Sequence, residues 1–172
     1  MLVWSVFIAK CKKIMKQAKP VHLIIDATCL ANHHYSGVEN FTFFLIREFD
    51  QLARENLLTY DLVVRGNKQS LINRLNIHYY QQLHYWPLPF VVLKLISMFH
   101  LPIYLDNFYG NGYYYFPSYT FYPLKRNPYA LVIHDHTYIL HPEAVSRFLS
   151  WRLKFSLPHF LKKAQQIFCC FR

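Results

Sequence analysis

The sequence predicts an α/β protein: a three-layer α/β/α domain built on a mostly parallel sheet. Two observations carry that expectation. Short apolar runs of strand length alternate with longer amphipathic segments of helix length, and the polar residues capable of chemistry sit where the apolar runs end. Composition supplies the frame. With 172 residues, 53% of them apolar, 16% charged, and only four glycines among nine prolines, the chain holds one domain with a real core. Disordered, collagen-like and linker-rich classes are excluded.

The elements follow in order. Val21–Asp26 is an apolar run rich in branched residues that ends in a carboxylate, the pattern of a buried parallel strand. Ser36 precedes Glu39 by three positions, the capping-box signature of a helix start. Val38, Phe41, Leu45, Phe49 and Leu52 then recur at spacings of three and four, which predicts one apolar stripe against a sheet. Residues 60–64 predict a second strand, broken at Arg65-Gly66-Asn67. Strand, helix, strand makes a parallel crossover unit, the building block of doubly wound sheets. Residues 77–85 predict another strand, residues 90–101 an apolar helix, and Tyr113–Phe116 a strand, with Gly110-Asn111-Gly112 as a turn before it. Residues 130–134 predict a strand ending in His134-Asp135-His136. Pro142 opens a helix with Val145, Leu149, Leu153 and Leu157 on one face, and a last strand starts near Gln166.

Residues 1–19 read as an extension from an upstream start or as a short amphipathic membrane anchor. The lysines follow the apolar residues there, the reverse of a secretory signal, so export is not expected and a cytoplasmic location is. The longest apolar stretch, residues 88–105, is interrupted by Lys94 and His100 and bracketed by Pro89 and Pro102. It leaves a helix of roughly 18 Å, too short to cross a bilayer. A buried or groove-lining helix is the expectation, with shallow insertion into a membrane face as the rival. Cys11, Cys29, Cys169 and Cys170 show no zinc-like spacing and read as free thiols. A formal charge of +10 and 19% aromatic residues favour anionic partners. Nucleic acid rests on charge alone and is not an expected partner.

In open α/β sheets ligands sit beyond the carboxyl ends of the strands, which singles out the loops 27–37 and 134–142. In the first, Ser36 and Gly37 open a helix whose free N–H groups suit an anion. Glu39 offers the opposite reading, a carboxylate that satisfies that positive end itself. In the second, His134 beside Asp135 can orient a sugar hydroxyl or pass a proton, or both can simply bond neighbouring backbone. His136 would share a face with His134, but two histidines without a third ligand do not make a metal site. There is no GxGxxG and no GxxxxGK, so dinucleotide and P-loop readings lose their support, and no cofactor is expected. The aromatics of Tyr113–Phe116, with Tyr119, Phe121 and Tyr122, could stack on sugar rings or fill a core.

Taken in order, these segments resemble the N-terminal domain of glycosyltransferase family 4. VHLIIDATCL followed by YSGVENFTFFLIREF is similar to the opening strand, glycine-bearing loop and first helix of that family. NGYYYFPSYTFYP and YALVIHDHTYILHPE resemble its next strand and loop and its strand with a His-Asp pair, and HFLKKAQQIFCCF its closing helix and strand. The resemblance spans about residues 20–171. It implies a Rossmann-like half of a GT-B fold, the acceptor-side domain over residues 20–172, with the second domain missing or supplied by a separate chain. It implies a retaining transferase that moves a hexose from a nucleotide-sugar donor to a glycan or lipid-linked acceptor, with possible peripheral membrane contact. His134 and Asp135 would face the transferred sugar as catalytic residues, and Gly37, Ser36 and His136 would bind substrate. Glu39 stands where many members have a second glycine, Gln165 replaces an aspartate, and Phe171 ends the strand where the family has a serine. A non-catalytic fragment or membrane-associated interaction module is the rival expectation.

Overall fold

The computed structural model describes residues 20–31, 36–65, 68–86, 101–135 and 137–169, and within 87–100 only Val92, Leu95, Ile96 and Phe99. The N-terminal extension, His33, His34, His136, Cys11 and Cys170 lie outside the described residues, as does most of the apolar helix expected at 90–101. Val92, Leu95, Ile96 and Phe99 are helical.

Six strands form one sheet: β1 (Val21–Asp26), β2 (Leu58–Val64), β3 (Leu83–Tyr85), β4 (Tyr113–Phe116), β5 (Tyr129–Ile133) and β6 (Gln166–Cys169). Their spatial order is β3-β2-β1-β4-β5-β6, and every neighbouring pair is parallel. The fold is a three-layer, Rossmann-like α/β domain. Parallel neighbours require crossovers, and the helices between the strands provide the layers. Helices α1 (Gly37–Arg54) and α2 (Lys68–Leu75) cover one face, where Ile46, Ala53, Leu71 and Leu75 pack with Ile25, Leu62, Val64 and Val132. Short α3 (Asp106–Tyr109) and α4 (Thr137–Leu140) precede and follow the strand pair β4–β5, and α5 (Arg147–Lys163) covers the other face. Leu153, Leu157 and Phe160 of α5 pack there with Ile24, Phe116, Leu131 and Ile133. Alternate residues of β1 and β5 therefore serve opposite cores, as the strand period demands.

Two expectations need correction, those for residues 77–85 and for Pro142, and two are sharpened, those for the α1 stripe and the aromatic run. The strand expected at 77–85 shrinks to Leu83–Tyr85. Its approach segment gives most of its N–H groups to carboxylates: His78 and Tyr79 donate to Asp50 at 3.1 and 2.7 Å and Gln82 to Asp61 at 3.0 Å, while Gln81 N still reaches the Tyr60 carbonyl of β2 at 2.8 Å. On α1 the most buried row is Thr42, Ile46, Asp50 and Ala53, while Phe41, Leu45, Phe49 and Leu52 flank it half-buried. Small side chains let the helix approach the sheet, and Asp50 is tolerated because Tyr60 also donates to it, at 2.6 Å. Pro142 opens only a 3₁₀ turn, Pro142–Ala144; α5 begins at Arg147, with the Ser146 hydroxyl accepting from Leu149 N at 3.2 Å. The aromatic run fills core: Tyr114, Phe116, Phe121 and Tyr122 are all buried. Before it, Gly110 holds a φ of 85°, which favours glycine, and a Cβ on Gly112 would stand 3.1 Å from the His22 and Ile24 side chains, which would have to give way slightly.

Asp61 stitches the first three strands sideways, accepting from His84 Nε2 at 2.9 Å and standing 3.4 Å from His22 Nε2. None of the helices described is long and apolar enough to cross a membrane.

Candidate functional site

An all-parallel sheet sends every carboxyl end to one rim, and its strand order reverses between β1 and β4, where crossovers leave toward opposite faces. Asp26 ends β1 there, and residues 117–122 form the loop that leaves β4. Gly37 and His134 reach the same rim from α1 and β5. The contact that joins them is direct: the Phe41 ring, one turn into α1, meets the His134 imidazole edge to face at 5.1 Å. Tyr119 meets the same imidazole at 5.6 Å.

Ser36 caps α1 in a capping box, and its backbone N–H donates to Glu39 Oε2 at 3.0 Å. The Ser36 hydroxyl is also turned onto that carboxylate. Glu39 thus occupies the positive helix end, and Ser36 has its hydroxyl engaged. Gly37 lies outside the left-handed region, and a Cβ built on it would meet nothing within 4 Å. The backbone does not require glycine there; what the missing side chain leaves is open space over the first turn.

His134 Nε2 donates to the Pro117 carbonyl at 2.6 Å. A carbonyl can only accept, so Nε2 carries a proton, and in the neutral ring Nδ1 is the atom with the lone pair. The Asp135 carboxylate accepts from Thr137 N at 2.9 Å and so caps α4. Its backbone is clamped by Tyr119, whose hydroxyl accepts from Asp135 N at 2.9 Å and lies 3.2 Å from Asp135 O. Burial pushes the Tyr119 hydroxyl up to about 12, so it stays protonated. His134 and Asp135 therefore share a loop, with each polar side chain bonded to a different backbone group. His136 lies outside the described residues. Among the described residues no three His, Cys, Asp or Glu side chains converge as metal ligands.

Three residues that the sequence reading did not single out stand on the α5 side of the same rim. Asp26 is 2% exposed; Oδ1 accepts from Thr28 N at 3.0 Å, while Oδ2 is buried without a partner. Burial lifts its carboxyl from 3.8 to about 6, restrained by the hydrogen bonds from Thr28 and from the Tyr122 hydroxyl. Arg152 of α5 is 4% exposed; Nη2 donates to the Tyr119 carbonyl at 2.8 Å, and Nε and Nη1 have no acceptor. Burial draws its guanidinium below the usual arginine range. Trp86, at the end of β3, is buried with Nε1 unpartnered. All three surround Tyr122. Its ring stacks on Trp86 at 5.1 Å, its hydroxyl is 3.2 Å from Thr28 Oγ1 and hydrogen-bonded to Asp26, and it acts electrostatically on Arg152. An uncompensated buried donor or acceptor costs about 1–3 kcal/mol, and more when charged. The signal for Asp26 was visible, a carboxylate closing an apolar strand. Arg152 carried none, since it falls beside the apolar stripe of a basic helix.

Cys29, close behind Asp26, is pushed up to about 12 by burial and by the Asp26 charge, which makes it an unreactive thiol. Cys169 is free and exposed.

These features define a class, a parallel α/β domain of Rossmann strand order with polar groups gathered at its switch point. Compared with protein-family models, curated proteins and solved structures, the chain gives no match.

Proposed function

We propose that the chain is the acceptor-side domain of a GT-B glycosyltransferase, acting on a nucleotide-sugar donor and a glycan or lipid-linked acceptor to transfer a hexose. The observation that carries the reading is the meeting of the α1 entry and the His134 loop at the strand-order reversal, through the 5.1 Å contact of Phe41 with His134. In this reading His134 orients a sugar hydroxyl through Nδ1, its ring fixed by the Pro117 carbonyl and by Phe41 and Tyr119. Asp135 keeps the loop in shape by capping α4. The open space over Gly37 admits the donor phosphates, while Ser36 and Glu39 hold the helix start; His136 is assigned to substrate by the family resemblance alone. Catalysis of this kind takes place between two domains, so the activity needs a partner domain, in the same polypeptide or another.

The test is co-expression with a candidate nucleotide-binding Rossmann domain, followed by nucleotide-sugar transfer and hydrolysis assays. The expected result is activity that falls by ~100-fold or more in His134→Ala. Activity untouched by that substitution removes His134 from the site, and no transfer with any hexose donor removes the reading.

A second reading, an interaction module at a membrane surface, is favoured by one feature. Phe148, Trp151 and Phe155 of α5 are 43, 46 and 59% exposed, and Arg147, Lys154 and Lys162 are exposed on the same helix. Aromatic rings interleaved with cations suit an anionic lipid face. Sedimentation with vesicles of phosphatidylglycerol, lost in Trp151→Ala/Phe155→Ala, is its expected signature.

A further inference from the structure

The α5 side of the rim holds polar atoms that have no hydrogen-bond partner among the described residues. Asp26 offers one free carboxylate oxygen, Trp86 one N–H, and Arg152 the N–H groups of Nε and Nη1, and each of these residues is at least nine-tenths buried. They come from β1, the end of β3 and α5, and the loop 119–122 links them: Trp86 stacks on Tyr122, Asp26 is hydrogen-bonded to Tyr122, and Arg152 donates to the Tyr119 carbonyl. The described ion pairs do not include Arg152. The location is the place where open α/β sheets take ligands, beyond β1 and β4 where the order reverses.

We propose that this cluster is a binding site for the terminal anionic group of a small hydroxylated molecule, a phosphate or carboxylate set on Arg152 with a neighbouring hydroxyl donating to Asp26 Oδ2. Arginine suits the first role because its spread N–H groups match planar or tetrahedral oxyanions. Asp26 suits the second because its outer oxygen lacks a donor while its inner one is held by Thr28 N. Ligands with a free end fit best, since Arg152 is only 4% exposed. A charge buried without a counter-ion is the mark of a site whose partner arrives with the ligand. The inference shares the rim with the transferase reading but not its chemistry: binding here requires neither transfer nor a second domain.

The test uses the whole chain, with thermal unfolding and calorimetric titration of inorganic phosphate, glycerol 3-phosphate, glycerate and glycerol. Expected are saturable binding and a raised unfolding midpoint with the phosphates and with glycerate, and neither with glycerol. Comparing glycerol 3-phosphate with glycerate tells which oxyanion the site prefers. Arg152→Met weakens anion binding by at least ~10-fold, yet raises the midpoint of the ligand-free protein, because an unpaired buried charge is gone. Arg152→Lys keeps the charge and retains part of the binding. Asp26→Asn leaves inorganic phosphate binding and removes the preference for glycerol 3-phosphate over it. The proposal is overturned if the wild-type chain binds none of the anions. It is equally overturned if Arg152→Met lowers the ligand-free midpoint while anion binding persists, which would make Arg152 a strut for the Tyr119 carbonyl alone.

Discussion

On the α1 side of the carboxyl rim, Ser36, Glu39, His134 and Asp135 each close a bond with a neighbour. Ser36 and Glu39 cap a helix, His134 donates to Pro117 O, and Asp135 caps Thr137 N. On the α5 side, Asp26, Trp86 and Arg152 are more deeply buried and leave polar atoms unmatched. The first set is stable by itself and offers a ligand only what remains, such as His134 Nδ1. The second set holds polar atoms in a destabilising state that a ligand would relieve. The residues that look chemical in a sequence are thus partly structural here, and the residues with unspent capacity are those that sequence patterns pass over.

Substitutions on the two sides should move stability in opposite directions. The largest effect is expected at Asp26. Its folded value of about 6 lies above the ordinary 3.8, so the folded state holds the proton more tightly than the unfolded chain does. That contribution is fully present below pH 3.8 and is lost as pH rises through about 6. Asp26→Asn, which keeps the acceptor for Thr28 N, should therefore raise stability near pH 7 by about 3 kcal/mol and change little near pH ~3.5. Urea unfolding at the two pH values decides it; a variant equally or less stable near neutrality would put Asp26 among the satisfied groups and erase the contrast.

On the other side, His134→Ala should lower stability by about 1–2 kcal/mol, since the bond to Pro117 and the ring contacts with Phe41 and Tyr119 go together. Chemical denaturation measures this, and a neutral result would mean that the imidazole is held loosely enough to be a ligand group only. Asp135→Ala should cost about 1 kcal/mol as a lost cap, whereas Asp135→Asn, which still accepts from Thr137 N, should cost only a few tenths. If the two variants are equally destabilised, the carboxylate charge matters beyond the cap, and Asp135 regains a claim to chemistry.

Much of the fold was legible because burial imposes periodicity. Val21–Asp26, Tyr113–Phe116 and the helix entry at Ser36 to Glu39 stand where apolar runs and capping residues put them. The segment at 77–82 misled because its apolar and aromatic residues suggest a ladder, while the N–H groups of His78, Tyr79 and Gln82 are taken by Asp50 and Asp61, partners remote in sequence. The rim position of His134 was legible too, as a polar residue closing an apolar strand. Its donor atom was not, since that depends on a carbonyl seventeen residues earlier, at Pro117. Arg152 was illegible for the same reason: its meaning lies in the acceptors that are missing around it, and an absence leaves no periodic trace.

The sheet's pairing order also governs how the polypeptide acquires its shape. Among the described strands β1 is made first and lies at the centre of the finished layer beside β4, yet it joins β4 only after the segment carrying β2, α2, β3 and α3 has been made. With no hairpin anywhere in the sheet, early synthesis offers the nascent chain little local pairing, and long loops must close before contacts accumulate. Until β4 arrives, one edge of β1 stays open to foreign strands, which makes translation, more than the finished fold, the interval when chaperone protection matters most.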